Sequence, residues 1–206
     1  MAQNSVTLTD NRNGKSYEFP ILDGSLGPSV IDISSLYKQA GMFSYDEGLT
    51  STATCKSDIT YIDGENGILM HRGYPIEWLA EHKRFLDVVH LLLYKSLPDE
   101  KRFEDFRYEL KKRSFIHEGM HKIFDAFPDN AHPMAVMQAA VSSLSTFYPD
   151  HLNMDIEAEY MEMAARIVAK MPTIAAAAYR YKNGFPMAYP NLDRGFTENF
   201  LYMLRT

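Results

Sequence analysis

Hydrophobic and polar positions fall into two textures along the chain, with the change near residue 72. In the first stretch VTLTD and YEFPIL alternate on either side of NRNGK, whose Asn and Gly supply turn chemistry, so a β-hairpin is predicted. ITYI and GILMHR flank DGEN, where Asp63-Gly64 and Gly67 predict a second hairpin. Gly64 and Gly67 read as turn glycines rather than a phosphate loop, because no P-loop lysine and no long glycine-rich loop follow.

From Pro75 the pattern is helical. Pro75 suits the first turn of a helix PIEWLAEH, where its missing N–H costs nothing. FLDVVHLLLYKS is apolar almost all round and predicts a buried helix. Ser96-Leu97-Pro98-Asp99 resembles a capped start, and Phe103, Phe106 and Leu110 fall on one face of the helix after it. HPMAVMQAAVSSLSTFY predicts a helix from Pro133 to Tyr148. MDIEAEYMEMAARIVAKM predicts another to Met171, where Pro172 is expected to kink or break it, with PTIAAAAYRYKNG a separate helix stopped by Gly184. FTENFLYMLRT closes the chain as a further helix.

Composition narrows the class. The 206 residues, 46% hydrophobic and 13% aromatic, can bury a sizeable core as one large or two small domains. The net charge of −6, with no long Lys/Arg block, points away from nucleic-acid and membrane partners. Cys55 stands alone, which excludes an intramolecular disulfide and fits a reducing cytosol. No basic-then-apolar leader opens the chain and no apolar run is long enough to span a bilayer, so a soluble cytoplasmic protein is expected.

The candidate chemistry begins with HEGMH, a match to H-E-x-x-H that on a helix would set His117 and His121 on one face for Zn²⁺. A catalytic zinc needs a third ligand, and His132, His151 and Glu157 are candidates outside any second motif. Gly119 weakens the helix that would hold the ligands, and surface or interface histidines are the competing reading. No G-x-S-x-G elbow occurs, and Cys55 has no histidine near it in sequence, so a structural cysteine is expected. His132, extended before Pro133, reads as a structural hydrogen-bonding group at a helix entrance. Lys111, Lys112 and Arg113 cluster. Arg166 and Lys170, spaced i, i+4, share one helix face that either clamps a phosphate or is simply solvated.

The segments LGPSVIDIS, DEGLTSTATCKSDITYIDGENGILMHRGYPIEWLAE, IHEGMHKIFDAFPDNAHPMAVM and MPTIAAAAYRYKNGFPMAYP follow one another in order. Together they resemble the N-terminal half of citrate synthase in the hexameric form typical of Gram-negative bacteria. The resemblance implies a mainly α fold: a β-rich segment over 1–72, then the helical large-domain portion over 73–206, with the small domain absent. It implies a transferase of the tricarboxylic acid cycle that condenses acetyl-CoA with oxaloacetate to citrate and CoA. In the family an aspartate removes a methyl proton, one histidine stabilises the enol and a second assists attack on the ketone. Those residues and the substrate arginines belong to the family's second half. The resemblance therefore assigns this chain no catalytic residue, no metal and no cofactor, and leads us to expect a fragment inactive alone.

Two further implications concern assembly and regulation. HPMAVMQAAVSSLSTFY and the helices around MPTIAAAA resemble subunit-interface helices, so a homo-oligomer is expected, a dimer or, in the NADH-inhibited form, a hexamer. The positions matching that form's NADH site are Lys112, Arg113, Ser114, Tyr148, Arg166 and Lys170, whereas Arg113 and Phe115 depart from its histidine and methionine. The competing readings are a fragment of 2-methylcitrate synthase, a non-catalytic interaction or nucleotide-binding module, and a zinc peptidase.

Overall fold

The computed structural model describes residues 4–149, 153 and 155–206, which pack as two units, Met1–Lys83 and Arg84–Thr206. The first holds both expected hairpins. β1 (Ser5–Asp10) and β2 (Lys15–Leu22) pair antiparallel, Ser5 opposite Pro20 and Asp10 opposite Lys15. The turn is held by the Asp10 carboxylate, which accepts from the Arg12 backbone and guanidinium and from Asn13. A short β3 (Val30–Ile31) extends this sheet, and α1 (Leu36–Ala40) follows. In the second sheet β4 (Thr60–Asp63) pairs β5 (Ile68–His71) around a turn in which Asp63 accepts from the Asn66 backbone and side-chain amides at 3.1 and 2.8 Å.

One boundary in this unit shifts by a residue. Pro75 precedes α2 (Ile76–His82) rather than occupying its first turn, with φ −58° and ψ 139°. The cause is tertiary: Tyr74 and Pro75 form β6, pairing with His71 and Met70, and this extended pairing delays the helix.

The second unit is helical: α3 (Phe85–Tyr94), α4 (Glu100–Arg113), α5 (Met120–Asp125), α6 (Pro133–Phe147), α7 (Glu157–Lys182) and α8 (Phe196–Arg205). α3 is not buried all round as its sequence suggests. Phe85 and Tyr94 are exposed, while Asp87 and His90 are buried. Both buried polar groups are partnered: Asp87 accepts from the Arg84 backbone and guanidinium, and His90 Nδ1 lies 2.8 Å from the Ser96 carbonyl. α4 begins as expected, Asp99 accepting from the Arg102 N–H at 2.8 Å. Phe103, Phe106 and Leu110 then pack with Leu86, Ala165 and Ala169.

The largest departure is at Pro172, where one uninterrupted α7 replaces the two helices expected. Proline in a helix interior costs about 3 kcal/mol, so both sides must be held independently. They are: Ala165 and Ala169 are buried before the proline, and Ile174, Ala177 and Ala178 after it. The latter join a core with Met120, Phe124, Val136, Ala140 and Leu144, which seats α5 and α6 on α7. The small side chains of Ala140 on α6 and of Ala177 and Ala178 on α7 are buried in this shared core.

Candidate functional site

Two side chains on α7 tie down the end of α4. Lys170 Nζ donates to the carbonyl oxygens of Arg113, at 2.9 Å, and of Phe115, and Thr173 Oγ1 donates to Ser114 O at 2.8 Å. The last carbonyls of a helix lack intrahelical partners, so these bonds both satisfy them and fix α4 against α7. Lys170 is only 4% exposed and Thr173 1%.

This staple sets a cluster of charges around a cavity of about 440 Å³, lined by Glu109, Lys112, Arg113, Phe115, Tyr148, Glu162, Arg166 and Lys170. Five of the six positions singled out from the sequence meet there. The sixth, Ser114, lies behind the cavity: its hydroxyl donates to Lys111 O at 2.7 Å and its carbonyl is taken by Thr173. The Tyr148 ring faces both α7 cations, 4.2 Å from the Arg166 guanidinium carbon and 5.0 Å from Lys170 Nζ. Arg166 and Lys170 thus lie on no simply solvated helix face.

Two carboxylates absent from the expected set complete the cluster. Glu162 bridges Arg113, at 2.9 and 2.8 Å, and Arg166, at 2.9 Å, while Glu109 pairs with Lys112 at 3.0 Å and with Arg113. Their spacing carried the signal: Glu109 precedes Arg113, and Glu162 precedes Arg166, by one helical turn. Four cations against two carboxylates leave the cavity with a net charge of +2. The Arg113 guanidinium, with Arg166 beside it, pulls the Glu162 carboxyl down to about 2. Burial, reinforced by the charges of Arg166 and Arg113, lowers the Lys170 ammonium to about 8. Arg166 Nε–H is buried without an acceptor among the described residues.

HEGMH takes another form from the one its pattern suggests. α5 begins at Met120, so His117 lies outside the helix and the two histidines do not share a helical face. His117 Nδ1 accepts from the Gly119 N–H at 2.9 Å and its ring stacks on Phe147 at 4.6 Å. His121 Nδ1 lies 3.1 Å from the Tyr181 hydroxyl, and its Nε2 is 3.4 Å from Glu118. The His117 ring takes the Gly119 N–H and its carbonyl the Met120 N–H, closing a turn ahead of α5, and glycine leaves the room this needs, since a Cβ there would come within 3.0 Å of both His117 and Phe147. No group of three or more His, Cys, Asp or Glu side chains suited to a metal assembles among the described residues, and His151 lies outside them. His132 caps α6, its Nδ1 accepting from the Met134 N–H at 3.2 Å. Cys55 is exposed rather than built into a core. No helix among the described residues is long and apolar enough to cross a membrane.

Comparison with known proteins places this architecture. The family described as "Citrate synthase, C-terminal domain" matches residues 48–206. Citrate synthase of Helicobacter pylori is 48% identical over 202 residues, covering 98% of this chain and 47% of that protein. Crystal structures of citrate synthase from Thermotoga maritima and Pyrobaculum aerophilum both superpose with a TM-score of 0.67. They are 31% and 30% identical to this chain, covering 79% and 90% of it and 42% and 44% of their own length. The chain spans about half the length of the relatives it matches. With a matching family over three-quarters of its residues and a relative at near-half identity, the chain belongs to the citrate synthase family.

Proposed function

We propose that this chain is the N-terminal portion of a hexameric bacterial citrate synthase, contributing scaffold, subunit contacts and part of an NADH regulatory site to an enzyme whose catalytic groups lie elsewhere. The parent reaction is the condensation of acetyl-CoA with oxaloacetate. The observation that carries the division of labour is the state of the histidines. All six within the described residues have local partners: His71 near Thr60, His82 at the Trp78 carbonyl, His90 at Ser96, His117 at Gly119, His121 at Tyr181 and His132 at Met134. These contacts engage one ring nitrogen of each, and none of the six lines the charged cavity between α4 and α7, where a bound substrate could meet the other. Citrate formation by the isolated chain, followed as free CoA, is expected to be undetectable. Turnover near that of a complete enzyme would overturn the division.

The regulatory half of the proposal draws on the cavity between α4 and α7. Its net charge of +2 suits the pyrophosphate of a dinucleotide, and the Tyr148 ring offers an aromatic surface beside it. Arginine forks favour bidentate contact with phosphate oxygens. Lys170 gives this reading a pH signature. Its ammonium is charged below about 8 and neutral above, so the net charge falls as pH rises through that value. The affinity for a dinucleotide, whose diester pyrophosphate does not titrate in this range, should therefore weaken severalfold between pH 7 and pH 9 when measured by calorimetry. An unchanged affinity would remove Lys170 from the site.

The oligomeric expectation also continues as a proposal. An apolar groove of about 430 Å³, lined by Phe85, Val168, Pro172, Ala175, Phe196 and Phe200, contains no charged side chain and supports burial in a larger assembly.

A further inference from the structure

The α4–α7 cavity already holds an anion. We infer that Glu162 is the built-in counter-ion of this cavity, and that its carboxylate competes with phosphate for Arg113 and Arg166 and so determines whether a phosphate ligand can bind. This inference rests on the reading of the cavity as an anion site.

The geometry supports displacement rather than simple addition. Both Glu162 oxygens are engaged: one accepts from Arg113 Nε and Arg166, the other from Arg113 at 2.8 Å. The planar Arg113 fork is thus closed by two parallel bonds to one carboxylate, the arrangement a phosphate would make. Its remaining bonds go to Glu109. The Glu162 side chain is 24% exposed, enough to rotate outward, whereas Lys170 is locked on backbone carbonyls. Lys112, half-exposed, paired with Glu109 and lying 4.5 Å over the exposed Tyr108 ring, has no backbone anchor among the described residues and is the cation best placed to meet an arriving anion.

The other charged or titratable groups around Glu162 do not alter this. Arg113, Lys112 and Glu109 face the cavity from α4, Arg166 and Lys170 from α7, and Tyr148 follows α6. Tyr94 on α3 feels the same charges, and burial holds its hydroxyl neutral well beyond the physiological range. Glu162 is therefore the nearest carboxylate that both α7 and α4 guanidinium groups share. The unpartnered Arg166 Nε–H fits a site whose native occupant satisfies it incompletely.

The test uses the 206-residue chain and inorganic pyrophosphate as probe, titrated by calorimetry. Glu162→Gln keeps the side-chain shape and removes the charge, and it is expected to tighten pyrophosphate binding by about tenfold or more. Adding Lys112→Glu to that variant should reverse the gain, separating the cavity from stray surface binding. If wild type and Glu162→Gln bind equally, the counter-ion role is overturned and the anion site stands. If both are folded by circular dichroism and neither binds, the anion site itself is overturned and the inference with it. Should Glu162→Gln fail to fold, Glu162→Asp, whose shorter carboxylate cannot reach both guanidinium groups, is expected to show a smaller gain, and no gain would overturn the role.

Discussion

Ile174→Asp is expected to abolish the cooperative thermal unfolding of the helical unit. Ile174 is fully buried, in a core with Met120, Phe124, Ala140, Leu144 and Ala178, and lies two positions beyond the proline that α7 must tolerate. Truncating such a side chain costs about 2–5 kcal/mol, and an unpaired buried carboxylate adds several more. Together these rival the whole stability of a typical domain, about 5–15 kcal/mol. The effect should spread, because losing this anchor leaves the C-terminal half of α7 to carry the proline penalty alone. Tyr179→Asp, on the same helix but 47% exposed, is the matched control and should change stability by about 0.5 kcal/mol or less. A melt of Ile174→Asp that stays cooperative near the wild-type midpoint would show that this core does not support α7.

The contrast between Pro172 and its neighbours shows what a sequence can reveal. Local signals located both hairpins, the Asp99 cap, the apolar face of α4 and the start of α6 at Pro133, since each depends on residues a few positions apart. Pro172 misleads because its local cost is outweighed by burial on both sides, which depends on α4, α5 and α6. Pro75 and HEGMH mislead for related reasons. Pairing with β5 keeps Pro75 extended, and the turn in which His117 accepts from the Gly119 and Met120 N–H groups sets the first histidine ahead of α5. Of the candidate cavity, the cations were legible through the family resemblance. Glu109 and Glu162 were readable from i, i+4 spacing, but that spacing gives no hint that two such pairs on different helices share Arg113. Spacing alone leaves Lys170 either a phosphate clamp or part of a solvated face. Its bonds to the end of α4 give it a structural duty as well, and only the packing of two distant segments reveals it.

That double duty decides how the regulatory proposal is tested. Reversing Lys170 would place a carboxylate against the carbonyls of Arg113 and Phe115, so lost regulation would be inseparable from lost folding. Lys112 and Arg166 are cleaner. Lys112 is 50% exposed and bonds a single glutamate, and Arg166→Gln removes the charge while leaving Glu162 bound to Arg113. The pair Lys112→Glu and Arg166→Gln turns the cavity from net positive to net negative. Coupling energies between regulatory and active sites commonly amount to 5–150-fold in affinity, so removing the anion contact should consume most of that.

The most direct measurement is NADH inhibition of citrate formation by the longer enzyme of which this chain is the proposed N-terminal portion, with and without those two substitutions. Inhibition of the unsubstituted enzyme, and a rise of roughly tenfold or more in the NADH required by the double variant, is the predicted result. Identical inhibition curves, or an enzyme indifferent to NADH, would contradict the account.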